Sequence, residues 1–313
     1  MPIDYPKVEA TGTIKTVTLG QGEKSFTVGG ETAYPFHTFE GGMPNLPRIA
    51  MEIWDKIPAD WAEPLNRVFS DVYGDPVAWA KKCIGFGADA IVLTLASTDP
   101  NADNAPAAQA VETVKKVARA IDVPLIVWGV DNDAKDGETL RLVAEAVDFK
   151  QLILGPVVEG NYKQVGAGAI GYKHKIVANT PIDINLAKQL NILLGNLGVQ
   201  DQFILMDPTV GGLGYGLEYT YSVMERARMA ALTQGDEKLQ FPMFCNVGKE
   251  VWKTKEAKAG EEGDPAWGDP SKRGIAIETI TATSLLLAGA DMLVLRHPES
   301  LKQVREFINE MKG

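Results

Sequence analysis

The chain has 313 residues, 45% of them hydrophobic and 23% charged, with 31 Lys+Arg against 41 Asp+Glu for a formal net charge of −10. This composition is that of a soluble globular protein and excludes disorder, collagen and coiled coil for the bulk of the chain. The acidic balance argues against nucleic acid as a main partner, because a phosphate backbone calls for a basic stripe.

Residues 1–48 read as an extension built around a β-hairpin. Apolar residues alternate at Ile14, Val17 and Leu19, pass through Gly20-Gln21-Gly22, resume at Phe26 and Val28, and stop at Gly29-Gly30. The start, MPIDYPKVEATG, has no apolar core of the kind a signal peptide needs, and no apolar run approaches the ~20 residues of a membrane span. A cytoplasmic protein is expected.

From residue 49 the pattern changes to short apolar, β-branched runs. They are IAMEIW (49–54), AIVLTL (90–95), PLIVWGV (124–130), QLILGPV (151–157), KIVANT (175–180), FILMDP (203–208), FPMFCNV (241–247) and DMLVLR (291–296). Between them the period is helical: Val111, Val114, Val117, Ala118 and Ile121; Leu186, Leu190, Leu193, Leu194 and Leu197; Ile275, Thr279, Ala282, Leu286 and Leu287. Helix entries and exits carry Pro or Asp and Gly, as in Asp75-Pro76 to Gly85, Pro106 to Asp122 and Pro298 to Gly313. Continuous apolar strands alternating with helices mean a parallel sheet covered on both faces. Eight such units over 49–313 predict an α/β fold, a (β/α)8 TIM barrel carrying the N-terminal hairpin extension; an open doubly wound sheet is the alternative.

In such a barrel the ligand site lies just after the strands. The residues there are Glu52 and Asp55; Thr94, Ser97 and Thr98; Asp131 and Asn132; Glu159 and Asn161; Asn179 and Thr180; Asp207 and Thr209; Asn246 and Gly248; and Arg296 and His297. As a set they are rich in amides and hydroxyls. Beyond Lys175, which opens the KIVANT run, no lysine sits inside the predicted strands to serve a Schiff-base aldolase, and no adjacent strand ends supply three carboxylates for a metal. The loop after the sixth barrel strand concentrates glycine at Gly211, Gly212, Gly214 and Gly216, which suits either close backbone approach to a ligand or a tight turn. A formal GxGxxG at Gly166, Gly168 and Gly171 does not open from a strand and is rejected as a dinucleotide motif in favour of tight helix packing on the barrel. The charged stretch 249–274, with Trp252 and Trp267, reads as a solvated excursion or as a lid or docking loop. His297 reads as the cap of the last helix ahead of an acid–base role. Cys83 and Cys245 are isolated, His37, His174 and His297 show no metal-ligand spacing, and no metal site is expected on this chain.

The segments NTPIDINLAKQLN (179–191), MDPTVGGLGYGLEYTYSVMERARMAAL (206–232) and RGIAIETITATSLLLAGADMLVLRHPES (273–300) resemble the small (delta) subunit of corrinoid iron–sulfur proteins of the acetyl-CoA (Wood–Ljungdahl) pathway of anaerobes. The resemblance runs along the whole chain. It implies a barrel related to pterin-dependent methyltransferases, paired with a large subunit that carries a [4Fe–4S] cluster and a corrinoid-binding domain, with the cobamide at the interface. It implies methyl transfer from methyltetrahydrofolate through a separate methyltransferase, delivery to carbon monoxide dehydrogenase/acetyl-CoA synthase, and a reductive activator as a further partner. The chain would then be a non-catalytic carrier subunit. Its corrinoid contacts are expected, by position, at Thr98, Asn132, Asn179, Asp207, Thr209, Gly211, Gly212, Gly214 and Asn246. The alternative is a methyltetrahydrofolate-binding methyltransferase of the same barrel group, with Asp131, Asn179, Asp207 and Asn246 around the pterin.

Overall fold

The computed structural model describes residues 6–312, Val210 in its backbone only. The first five residues of the extension and Gly313 lie outside them. Two short strands come first, β1 (Val17–Leu19) and β2 (Phe26–Val28), paired antiparallel. Eight parallel strands follow: β3 (Arg48–Trp54), β4 (Ala90–Thr94), β5 (Leu125–Trp128), β6 (Ile153–Val157), β7 (Lys175–Pro181), β8 (Ile204–Val210), β9 (Met243–Cys245) and β10 (Ala290–Leu295). They close into a barrel in the order β10-β3-β4-β5-β6-β7-β8-β9. Each of the eight coincides with one of the apolar runs, so the TIM barrel read from periodicity is the fold.

The helices are α1 (Glu63–Phe69), α2 (Pro76–Gly85), α3 (Ala107–Ala120), α4 (Asp133–Ala146), α5 (Tyr162–Tyr172), α6 (Ile184–Leu197), α7 (Gly212–Tyr215), α8 (Leu217–Thr233), α9 (Val247–Val251), α10 (Lys255–Lys258), α11 (Pro270–Leu287) and α12 (Pro298–Met311). Several begin on side-chain caps. Asp75 accepts from the Val77 and Ala78 amides, and Asp183 from those of Asn185 and Leu186. An unpaired first-turn N–H thereby finds an acceptor. No helix among the described residues is long and apolar enough to cross a membrane.

Alternation along the strands divides the core in two. Ile49, Met51, Ile53, Ile91, Leu93, Val127, Ile176 and Leu293 point outward and pack under the helices. Their neighbours Ala50, Val92, Ile126, Trp128, Val177, Leu205, Phe244 and Met292 point inward. Trp128 and Phe244 stack inside the barrel with ring centroids 5.4 Å apart and planes 14° from parallel. Gly155 makes room for this: a Cβ there would lie 2.7 Å from the Trp128 ring.

The hairpin belongs to the inner core. Val17, Leu19, Phe26 and Val28 join the same apolar cluster as the inward residues of the strands. It stoppers the N-terminal end of the barrel, where Gly20, at φ +80°, sits against Pro124 just ahead of β5. Beside it, the buried Arg228 guanidinium donates to Asp291 and to the Phe241 and Gly289 carbonyls, and Asp291 also accepts from the Met243 amide at 2.6 Å.

Because Leu19 is fully buried inside the barrel's own core, Leu19→Ala is expected to cost about 2–5 kcal/mol. Urea unfolding should show the loss in the single main transition. A barrel transition unchanged by the substitution would mean that the hairpin is not part of the core.

Candidate functional site

The C-terminal rim of the barrel carries three groups of side chains. The first joins β3 to β10. Glu52 accepts from Arg296 Nε at 2.6 Å, Thr94 Oγ1 at 2.7 Å and Trp54 Nε1 at 2.9 Å, all at buried or half-buried positions. Burial works to raise the Glu52 pKa, but the Arg296 charge and these three donors outweigh it and hold the carboxyl below its ordinary value. The Arg296 guanidinium lies over the Trp54 and Trp61 rings, 5.6 and 4.8 Å from their centroids. Glu278 of α11 accepts from the backbone amides of Arg296 and His297, which pins the chain as it leaves β10. His297 then caps α12, its Nδ1 accepting from the Glu299 amide at 3.1 Å, and burial lowers its pKa to about 4. The capping role read from sequence is the one observed.

The second group is centred on Asp207 at the end of β8. Its carboxylate accepts from the Thr209 amide at 3.0 Å, Thr209 Oγ1 at 2.5 Å and Asn179 Nδ2 at 3.2 Å. All three residues are buried. Burial pushes the Asp207 pKa up to about 6, with the Thr209 bonds working against the rise. Asn179 and Thr209 thus serve a carboxylate of the same rim.

The third group frames an open cleft of about 350 Å3 between the loops after β5, β6 and β7 and the face of α6. Asp131, Asp133 and Glu159 stand on one side, Leu186, Leu190 and Leu193 on the other. Thr180 lines it, with its buried Oγ1 unpartnered by any protein group. Asp136, behind it, accepts from the Val130 and Asn132 amides at 2.8 and 3.1 Å, and burial followed by the nearby Asp131 charge raises its pKa to about 6. Lys249, from the helix after β9, pairs with Asp131 after β5. Those strands are on opposite sides of the barrel, so this ion pair straps the mouth.

The other expected contacts fall into local roles. Thr98 is 1% exposed and donates to the Leu95 carbonyl at 2.8 Å inside a turn. Asn132 caps α4 by accepting from the Lys135 amide at 3.0 Å, and Asn246 caps α9, its Nδ2 buried and unpartnered. In the glycine loop, Gly211 adopts φ +73° and Gly216 φ +137°, while a Cβ on Gly212 would meet Thr220 Oγ1 at 1.7 Å. The turn therefore requires three of the four glycines. A Cβ would meet nothing at Gly211 or at Gly214, and Gly214, which has no positive φ either, stands beside Tyr215, which is 77% exposed. Gly166 and Gly168 let α5 approach Leu197 of α6 and Ala144 of α4, so the tight packing is against neighbouring helices. The stretch 249–274 is mostly helical turns. Trp252 is buried against Gly274, and Trp267 remains partly exposed with Arg273 over its ring. Lys175, the first residue of β7, donates to the Gln202 carbonyl at the opposite end of the barrel. Among the described residues no cluster of three His, Cys, Asp or Glu could hold a metal ion.

Sequence reading missed the cleft. Its leucine wall reads in sequence as one face of a helix. The sequence carries no signal for it: Leu186, Leu190, Leu193, Leu194 and Leu197 fall within about 100° of arc, the width of an ordinary core stripe, and only the structure leaves Leu186 39% exposed.

The Asp207 environment sets a pH dependence. A carboxyl whose folded pKa exceeds its unfolded value binds its proton more tightly when folded, so its contribution to stability falls as pH rises from about 4 to about 6. Asp207→Asn does not titrate. Its stability relative to the native chain should therefore rise by about 2 kcal/mol between pH 4 and pH 7, measured by urea unfolding at both. A pH-independent difference would show that Asp207 ionises normally.

Comparison with known proteins agrees with this architecture. A family described as CO dehydrogenase/acetyl-CoA synthase delta subunit matches residues 16–305. The acetyl-CoA decarbonylase/synthase complex subunit delta of Archaeoglobus fulgidus is 36% identical over 320 residues, covering 98% of this chain and 70% of that one. Its Methanopyrus kandleri counterpart is 35% identical over 294 residues, covering 93% and 72%. Among solved structures, a Xanthomonas albilineans dihydropteroate synthase bound to 4-aminobenzoic acid superposes with a TM-score of 0.62 at 11% identity, covering 96% of this chain and 100% of that one, a likeness of fold. Identity at this level across nearly the whole barrel establishes that the chain belongs to the CO dehydrogenase/acetyl-CoA synthase delta-subunit family.

Proposed function

We propose that this chain is the small subunit of a corrinoid-dependent methyl carrier, with its barrel mouth set against the corrinoid. Family membership over residues 16–305 supports a place in an acetyl-CoA-forming complex. The observation that carries the finer reading is the chemistry of the rim. The rim offers carboxylate acceptors in an open cleft at Asp133 and Glu159, with Asp131 held by Lys249 and Thr180 lining the same cleft, beside a carboxylate cluster whose donors and acceptors already satisfy one another. A corrin periphery is studded with primary amides, which donate to such acceptors. The donor and acceptor set fits that group.

When bound, the corrinoid supplies the cobalt that takes up and gives away the methyl group. The chain's own task is to cover and hold. The filled barrel interior keeps a macrocycle at the rim, Asp133 and Glu159 orient its amide arms, and the Lys249–Asp131 pair spans the mouth beneath it. Gly214, open to approach, extends the contact surface; Asn246, whose buried Nδ2 is unpartnered, and Thr98, Asn132, Asn179, Thr209, Gly211 and Gly212 support it from behind. In this reading the [4Fe–4S] cluster and corrinoid domain belong to a large subunit. The methyl donor is methyltetrahydrofolate, acting through its own methyltransferase, and the acceptor is acetyl-CoA synthase. A reductive activator restores the carrier, in the cytoplasm.

Reconstitution with the large subunit tests this. Corrinoid absorbance retained after gel filtration, and methyl transfer to acetyl-CoA synthase, should both depend on this chain. The Asp133→Asn/Glu159→Gln variant should lower corrinoid retention about tenfold, the loss of two hydrogen bonds. Equal retention and transfer without the chain would overturn the reading.

A second reading, a methyltetrahydrofolate-binding methyltransferase, is favoured by one observation: Asn179 and Asp207 meet at 3.2 Å at the mouth, with Asp131 and Asn246 on the same rim. Equilibrium dialysis of the purified chain with methyltetrahydrofolate separates the two. The carrier reading expects no saturable binding, and tight binding favours the enzyme.

A further inference from the structure

At the end of the barrel opposite the mouth, a cavity of about 490 Å3 opens between the N-terminal extension and α12. Its volume falls within the range of small-molecule sites. Its walls combine Arg48, Arg305 and Lys312 with the apolar side chains of Phe36, Ile308 and Met311, and among the described residues no carboxylate lines it. In a chain with net charge −10, a concave surface walled by three cations is a local reversal of sign.

The carboxylate that touches these cations is Asp89, behind the wall. It takes Arg305 Nη2 at 2.5 Å and the Ile49 amide at 2.8 Å, and stands 3.5 Å from Arg48 Nη1. Two guanidiniums thus converge on one carboxylate. Arg48 Nε is buried and has no hydrogen-bond partner in the protein. A buried guanidinium N–H is costly to leave without an acceptor, and it belongs to a residue of the cavity wall. The Arg48 guanidinium also lies 5.1 Å from the centroid of Phe26 of the hairpin, which fixes its plane. Among the described residues here, Arg48, Arg305 and Lys312 exceed Asp89 by two charges, matching a phosphate monoester dianion, whose oxygens suit fixed guanidinium forks. The apolar side of the cavity suits a hydrophobic body on the ester.

We propose that this cavity is a binding site for a small organic phosphate, with Arg48 and Arg305 holding the phosphoryl group, Lys312 completing its charge, and Phe36, Ile308 and Met311 covering the organic part. The site lies at the far end of the barrel from the mouth, on the seam between extension and barrel, and does not depend on the corrinoid reading.

Isothermal titration of the purified full chain at low ionic strength tests it with phenyl phosphate, inorganic phosphate and benzoate. Phenyl phosphate is expected to saturate a single site, about tenfold or more tighter than either of the others. Lys312→Glu, at an exposed position, should weaken phenyl phosphate about tenfold with an unchanged melting temperature, and Arg48→Gln should do the same or more. Absence of saturable binding, benzoate binding as tightly as phenyl phosphate, or affinity unchanged in both variants would overturn the proposal.

Discussion

The filled interior of the barrel is the constraint on which the rest of the structure depends. Parallel strands with both faces apolar have no stable place at a water boundary, so the inward side chains must find partners at every level of the cylinder. The Trp128–Phe244 stack occupies the interior, and the hairpin residues Val17, Leu19, Phe26 and Val28 close its lower end. A ligand is therefore confined to the rim, to the clefts between rim loops and to the seams outside the barrel. The N-terminal extension is a structural part of the molecule for the same reason, since without it inward residues such as Ala50 and Ala90 would meet water.

The rim is governed by a second economy, that of buried charge. Glu52 keeps its ionised form because Arg296 and two neutral donors reach it, whereas Asp207 and Asp136 have only neutral donors and shift upward. Two kinds of carboxylate thus share one surface. One group is satisfied and structural. The other, at Asp133 and Glu159, is exposed at the cleft and able to accept from an incoming group. An acceptor-rich cleft beside a self-satisfied cluster is the pattern expected of a covering surface that binds by many modest hydrogen bonds. Proton transfer chemistry would call for an unengaged acid and base within reach of each other.

Much of this was legible in the residues. The short apolar runs located all eight barrel strands, because burial on both faces writes itself into sequence as unbroken apolar stretches. His297 was legible as a cap from its place one residue before a helix-opening proline. The glycine loop was half legible: its density was plain, but whether the glycines serve a turn or a ligand depends on what a Cβ would strike, and Gly212 is required by Thr220, a residue of the following helix. Trp252 and Trp267 looked alike in a charged stretch, yet one is core and the other surface, since Gly274 admits only the first.

By itself the sequence determined the barrel, the plugging hairpin's alternation, the strand ends where a site must lie and the family to which the segments after residue 179 belong, because these follow from local periodicity and contiguous motifs. Only the tertiary structure decided which rim groups spend themselves on one another and which remain available. Asn179 meets Asp207 from an adjacent strand, Lys249 meets Asp131 from across the mouth, and Arg48 meets Arg305 around Asp89 from opposite ends of the chain. Hydrogen bonds and ion pairs are set by distances of a few ångströms in space, and closing the barrel fixes those distances between residues that the chain holds far apart.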